Sequence, residues 1–96
     1  DFSDVRVVVR AYRLILDRGQ GGKAYNISAQ NFQRIGDIAD RFCKMAGGGV
    51  ELRKDPSLFR PTDTSPQLDT KRMETEIGWQ PLIPFEQTLR NIWDSL

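Results

Sequence analysis

The first eighteen residues constrain the fold most, because their apolar side chains repeat with the period of a helix. Spacings of three and four predict a helix from about Asp4 to Arg18, with Ser3 as a candidate cap and Gly19 as the stop. The apolar stripe of this helix consists of Val5, Val8, Val9, Tyr12, Ile15 and Leu16. An amphipathic helix is stable when this stripe packs against another surface.

Two further segments show the same helical period. A second helix is expected from about Phe32 to Ala46, and glycines follow it at 47–49. The last helix is expected to open at Pro84, where proline costs no donor. The side chains expected to face inward are Ile35, Ile38, Phe42 and Met45 on the second helix and Phe85, Leu89, Ile92, Trp93 and Leu96 on the last.

Shorter elements lie between these helices. Residues 24–28 and 50–53 are predicted to be strands. Asp69 or Thr70 can cap a short helix that ends at Gly78, after which Trp79 folds back on the last turn. The order is helix, strand, helix, strand, long loop, helix, helix. This order predicts an α/β fold with four helices and two short strands.

The small predicted sheet indicates a partial domain. An isolated pair of strands is only marginally stable, so much of the apolar surface is expected to pack on something outside residues 1–96. The sequence starts at Asp1 without an initiator Met and enters a helical pattern within four residues. We therefore expect one partial domain, 1–96, of a longer protein.

Composition excludes several classes of function. Fourteen basic and thirteen acidic residues give a net charge of +1, which argues against a nucleic-acid groove. Aliphatic runs such as 7–9 and 14–16 are far shorter than the ~20 residues that a bilayer span needs, so no membrane partner is expected. Cys43 is the single cysteine, which fits a reducing cytoplasm. Without histidine, the usual catalytic triads and zinc sites are absent, and no catalytic or metal residue is predicted.

The long loop at 55–67 holds the candidate binding residues. Arg60 offers a guanidinium fork that fits two oxygens of a diphosphate, and the carboxylate of Asp63 can accept from the two hydroxyls of a ribose. Pro61 stands between them and restricts the backbone. The alternative interpretation is a surface turn in which Asp63 bonds to its own backbone.

Four separated segments together resemble one enzyme family. They are Asp1-Phe2-Ser3-Asp4-Val5-Arg6, Tyr25-Asn26-Ile27, Arg60-Pro61-Thr62-Asp63 and Gly78-Trp79-Gln80-Pro81. Their order and spacing are similar to the C-terminal part of the NAD-dependent epimerases and dehydratases of the extended short-chain dehydrogenase/reductase family. The opening segment looks most like GDP-mannose 4,6-dehydratases and GDP-deoxymannose reductases. A departure is Ser28-Ala29-Gln30, where that family has Gly-Ser-Gly.

The resemblance implies a division of labour. The resemblance implies that a Rossmann domain outside these residues binds NADP or NAD and supplies a Tyr-x-x-x-Lys pair. Neither tyrosine of this chain forms such a pair, since Tyr12 and Tyr25 are followed four residues later by Leu16 and Ala29. The resemblance also implies that Arg60 holds the pyrophosphate and Asp63 the ribose of a nucleotide sugar. We therefore expect a non-catalytic, substrate-binding portion, with GDP sugars as the preferred ligands.

Two other functions remain open at this stage. The chain can be a free-standing interaction module that docks a partner protein on the stripe of the first helix. It can also be a non-catalytic nucleotide-binding protein, which requires tight GDP binding by these residues alone. For the enzyme interpretation we also expect self-association of the isolated chain, because apolar helix faces are left uncovered.

Overall fold

A computed structural model describes residues 1–60 and 66–96. Its α-helices are α1 at Val5–Arg18, α2 at Ile35–Met45 and α3 at Phe85–Asp94. A 3-10 turn lies at Pro56–Leu58 and a π-helical turn at Met73–Ile77. The chain divides into two compact units, which we call the core unit (Asp1–Phe32 with Gln67–Leu96) and the inserted unit (Gln33–Pro66).

The ends of α1 follow from local chemistry. Asp4, rather than the predicted Ser3, caps the helix: its carboxylate accepts a hydrogen bond from the backbone N–H of Arg6 at 2.9 Å. At the other end, the N–H of Gly19 donates to the carbonyl of Ile15 at 2.7 Å. A Cβ at Gly19 would lie 2.5 Å from that oxygen, so only glycine permits this approach. The predicted helix is therefore confirmed to within one residue.

The face that α1 buries differs from the predicted one. Val7 and Ala11 are buried, and Leu14 and Ile15 pack partly against them. Val8 is half-buried, and the other four predicted positions face solvent, with exposed fractions of 70% for Val5, 58% for Val9, 59% for Tyr12 and 87% for Leu16. The helix is apolar on more than one side, so periodicity could find a stripe but not the side that meets the core.

The core forms where α1 meets the segment from 73 to 79. Val7, Ala11, Met73, Ile77 and Trp79 make up its buried cluster. The indole N–H of Trp79 donates to the carbonyl of Val7 at 3.2 Å, which satisfies its one polar atom inside the core. This cluster anchors the core unit.

The short helix ends as predicted. Asp69 accepts from the backbone N–H of Lys71 at 2.9 Å, as its capping role requires. Gly78 adopts the left-handed conformation with φ 74°, and the N–H of Trp79 then donates to the carbonyl of Met73 at 3.1 Å. This turn buries Trp79 to 1% exposure. The predicted stop at Gly78 and the folded-back Trp79 are both confirmed.

Helix α3 starts at the predicted place but buries a narrower face. It begins directly after Pro84, and Leu89 is its buried residue. Phe85 is half-buried and lies 6.4 Å from the ring of Phe2, whereas Ile92 and Leu96 are exposed. The core therefore covers one line of this helix and leaves the far end of the predicted stripe open.

Neither predicted strand is found in the described residues. Residues 24–28 instead interact mainly through side chains: Asn26 donates to the carbonyl of Asp69 at 3.2 Å, and Arg72 donates to that of Ala24 at 2.8 Å. A strand needs a neighbouring backbone ladder, and these contacts do not supply one. The α/β prediction is thus supported in its helices and not in its sheet.

The inserted unit is packed less densely. Its helix α2 is shorter than predicted and contains no buried residue; Ile35, expected to face inward, is 75% exposed. Ile38, Phe42 and Met45 are half-buried. The second predicted strand, 50–53, falls in this unit and is an exposed irregular segment.

Candidate functional site

Arg60 lies in the inserted unit, two residues after the 3-10 turn. Asp55 caps that turn, since its carboxylate accepts from the backbone N–H of Ser57 at 3.0 Å and from the Ser57 hydroxyl at 2.6 Å. These hydrogen bonds lower the pKa of Asp55. The Asp-Pro-Ser sequence thus forms a defined turn just before the candidate arginine.

The side chain of Arg60 is exposed to solvent. Its guanidinium presents a planar set of donors. Such a group can grip two oxygens of a diphosphate at once. Asp63, the second predicted site residue, lies outside the described residues, so the geometry of the pair stays a prediction.

A groove of about 310 Å³ lies in the core unit between the start of α1 and α3. Its lining includes an ion pair in which Arg6 donates to Asp4 through Nε at 3.0 Å and Nη2 at 2.7 Å. Thr88 donates to Asp4 at 2.8 Å, and Arg6 also donates to Asn91 at 3.0 Å. These hydrogen bonds join the capped start of α1 to α3.

Asp4 is a structural carboxylate. Its side chain is 6% exposed, and the hydrogen bonds from Arg6 hold its pKa well below the usual range. A carboxylate with such a lowered pKa is a poor proton acceptor at neutral pH, so Asp4 is unsuited to general base catalysis. Sequence analysis missed this network, although an Asp-x-Arg pair at a helix start was the available signal.

A second groove, of about 290 Å³, is polar and also lies in the core unit. Ala24, Asn26, Asp69 and Arg72 line it. Both Asn26 and Arg72 already donate to backbone carbonyls across it. The ion pair of Lys23 and Glu76, 2.7 Å apart, supports the same two segments. These side chains hold the fold; sequence analysis named Asn26 and Asp69 but not Arg72 or the Lys23–Glu76 pair.

The glycines at 19–22 do not form a dinucleotide site. They follow the C-terminal end of α1, where free carbonyls and the helix dipole present negative charge. A pyrophosphate binds instead at a helix N-terminus. The residues of this chain therefore do not fit NAD or NADP at that loop.

The described residues, 1–60 and 66–96, lack two further features. No group of three or more Asp, Glu or Cys side chains is placed to hold a metal ion. None of the helices there has the length and apolar character needed to cross a bilayer.

Comparison with known proteins gives several relatives. The chain is 30% identical to GDP-6-deoxy-D-mannose reductase of Pseudomonas aeruginosa over 99% of its own length. It is 31% identical to dTDP-glucose 4,6-dehydratase of Haemophilus influenzae over 94% of its length. It is also 28% identical over 91% of its length to a trifunctional Arabidopsis thaliana protein, whose activities include UDP-glucose 4,6-dehydratase.

The matched part of each relative is small. The chain covers 33% of the reductase, 30% of the dehydratase and 13% of the trifunctional protein. No protein-family model matches it. The relatives are nucleotide-sugar dehydratases and reductases that differ in nucleotide, so the comparisons support the epimerase/dehydratase family resemblance and not one particular member.

Proposed function

We propose that this chain is the substrate-binding portion of an NAD(P)-dependent nucleotide-sugar dehydratase, epimerase or reductase, with a GDP sugar as its ligand. The observation that carries the proposal is the match of 99% of the chain to a third of a GDP-6-deoxy-D-mannose reductase. The choice of GDP rests on that relative and on the opening segment Asp1 to Arg6.

Arg60 and Asp63 hold the nucleotide in this proposal. The exposed guanidinium of Arg60 takes two oxygens of the pyrophosphate, and the carboxylate of Asp63 accepts from the ribose hydroxyls. Pro61, between them, reduces the conformational freedom lost when the ligand binds. The turn capped by Asp55 supports this assignment, because it fixes the backbone that leads into Arg60.

The chemistry belongs to the rest of the parent enzyme. NADP or NAD bound there would accept and return the hydride. This chain contains neither a Tyr-x-x-x-Lys pair nor a glycine loop that fits a dinucleotide. Its part in the reaction is to bind and orient the nucleotide end of the substrate, so the isolated chain is expected to show no turnover.

The exposed apolar stripe of α1 is a surface on which another part of the parent enzyme can pack. Val5, Val9, Tyr12 and Leu16 form a line along the side of the helix away from Val7 and Ala11. We assign the Rossmann domain of the parent as the partner that covers this line. In its absence, the same apolar surface favours self-association of the isolated chain.

Replacing Arg60 tests the proposal. In the full-length parent enzyme, Arg60→Ala is expected to weaken binding of the nucleotide sugar by about 2–4 kcal/mol, because a charged contact to the pyrophosphate is lost. Calorimetric titration with GDP-mannose and with the matching dTDP and UDP sugars measures this loss and tests the choice of base.

Arg53→Ala is the matched control, since Arg53 is an exposed arginine of the same unit. It removes one positive charge from the inserted unit, as Arg60→Ala does, and is expected to leave the Kd within about twofold. An unchanged Kd for Arg60→Ala would remove Arg60 from the site. Equal losses in both variants would indicate general electrostatic attraction instead of a specific contact.

A second candidate is a free-standing interaction module, which the solvent-facing stripe of α1 also favours. The two candidates predict different neighbours in the gene. A coding sequence for a Rossmann-type segment with Tyr-x-x-x-Lys ahead of Asp1 supports the enzyme. A start codon next to Asp1 supports the module.

A further inference from the structure

Gln30 has an unusual backbone conformation. Its φ is +56°, and it is the one non-glycine residue with positive φ in the part of the chain that the structure describes. Residues with a Cβ avoid this region, whereas glycine enters it freely. A strained glutamine at a position that glycine would fill without strain indicates that its side chain has a use.

That side chain spans two distant segments of the core unit. Its Nε2 donates to the hydroxyl of Thr70 at 3.1 Å and approaches the carbonyl of Leu68 at 3.5 Å. Thr70 is only 4% exposed, so its hydroxyl is a fixed and largely dry acceptor. The bond to Thr70 is the stronger of the two by its length.

The backbone of Gln30 is also fixed. Its N–H donates to the hydroxyl of Ser28 at 3.0 Å, and the buried Ser28 hydroxyl donates to the carboxylate of Asp1. The other oxygen of that carboxylate accepts from the N–H of Asn31 at 3.2 Å. The backbone N–H of Gln30 is thus bound by Ser28, while its side-chain amide donates to Thr70.

The bridged segments flank the inserted unit. That unit runs from Gln33 to Pro66, and Gln30 and Leu68 lie just outside its two ends. The amide of Gln30 therefore links the segment that precedes the inserted unit to the segment that follows it, and Arg60 lies within that unit. Fixing both ends of a long loop removes conformations that the loop would otherwise sample before it binds a ligand.

We propose that Gln30 is a positioning residue: its hydrogen bond to Thr70 fixes the two ends of the inserted unit and so preorganises Arg60 for the nucleotide. The effect on binding rests on the proposed function. The clasp itself, defined as the Gln30 amide with Leu68 and Thr70, does not.

Gln30→Gly separates the side chain from the backbone, because glycine keeps the positive φ and removes the amide. In the full-length parent enzyme, we expect KM for the nucleotide sugar to rise about fivefold, as for one lost hydrogen bond, with kcat within about twofold. Backbone amides at 67–72 are expected to exchange hydrogen faster by a similar factor.

Thr70 provides the partner variants. Thr70→Val removes the acceptor at nearly constant volume and should reproduce the Gln30→Gly result, whereas Thr70→Ser keeps the hydroxyl and should restore wild-type KM and exchange. The double variant Gln30→Gly/Thr70→Val should be no worse than either single variant, because both remove the same bond.

Several results would overturn the inference. Unchanged exchange at 67–72 in Gln30→Gly would remove the clasp, and so would additive effects in the double variant. Faster exchange with unchanged KM would remove the positioning role. A wild-type parent that binds no nucleotide sugar would defeat the proposed function, while the exchange measurement would still decide whether the clasp exists.

Discussion

The core unit and the inserted unit differ in what stabilises them. Every fully buried side chain in the described residues belongs to the core unit, including Trp79, Met73 and the polar Ser28 and Thr70. The inserted unit has half-buried side chains along α2 and an exposed stretch from 47 to 60. One unit is held by its own core, whereas the other has little buried surface of its own.

This difference matches the division of roles that we propose. Binding loops come from the less stable parts of a protein, since a ligand must be able to enter and order them. Arg60 lies in the inserted unit, whereas the proposed Gln30–Thr70 clasp lies in the core unit. Stability and ligand binding are therefore expected to respond to different substitutions.

The largest expected effect breaks the core unit. Trp79→Ala removes a side chain that is 1% exposed and should lower the free energy of unfolding by about 3–5 kcal/mol, measured by urea denaturation of the full chain. Phe59→Ala is the control in the inserted unit, because Phe59 is 76% exposed; its effect should stay within about 0.5 kcal/mol. Equal losses would erase the contrast between the units.

A smaller effect concerns acid stability and compares two carboxylates with lowered pKa. Asp4 in the core unit is bonded to Arg6, Thr88 and the helix end, whereas Asp55 in the inserted unit bonds to Ser57 two residues away. A lowered folded-state pKa gives stability that is present above the unfolded value, 3.8, and is lost as the pH falls below it. Unfolding should therefore become easier below about pH 4, chiefly through Asp4.

Replacing each carboxylate separates the two. Asp4→Asn keeps a capping side chain but cannot be protonated further, so it should flatten the fall in stability between about pH 4 and pH 2. Asp55→Asn should leave that slope nearly unchanged. Urea midpoints measured across this pH range give the comparison, and an identical slope in wild type and Asp4→Asn would contradict it.

Sequence predicted the features that depend on neighbouring residues. The stop of α1 at Gly19 and the turn at Gly78 follow from glycines that act within a few residues, whereas the cap of α1 was predicted at Ser3 and is Asp4. Asp69, one of the two residues predicted to cap the short helix, accepts from the N–H of Lys71. Such signals are complete in the local sequence.

The features that depend on distant partners could not be predicted in this way. The buried face of α1 is the one that packs on Trp79, about seventy residues away. The apolar periodicity of α1 alone does not identify this face. The predicted strand at 24–28 lacks a ladder because its neighbours bond through side chains. The left-handed Gln30 depends on Thr70 in the same manner.

The candidate site was reached mostly through resemblance. Composition excluded metal and triad chemistry, and the Arg-Pro-Thr-Asp pattern indicated a diphosphate and ribose contact that a plain surface turn would equally allow. The structure adds the exposure of Arg60 and the capped turn before it. The pairing of Arg60 with Asp63 across a ligand stays a prediction.

Hydrogen exchange of the full-length parent enzyme, with and without a saturating GDP sugar, tests the central claim most directly. The account predicts that the ligand slows exchange of the non-proline backbone amides at 58–66 by at least about tenfold, while amides of α1 and residues 73–79 change little. Exchange at 58–66 that is the same with and without the ligand would contradict it.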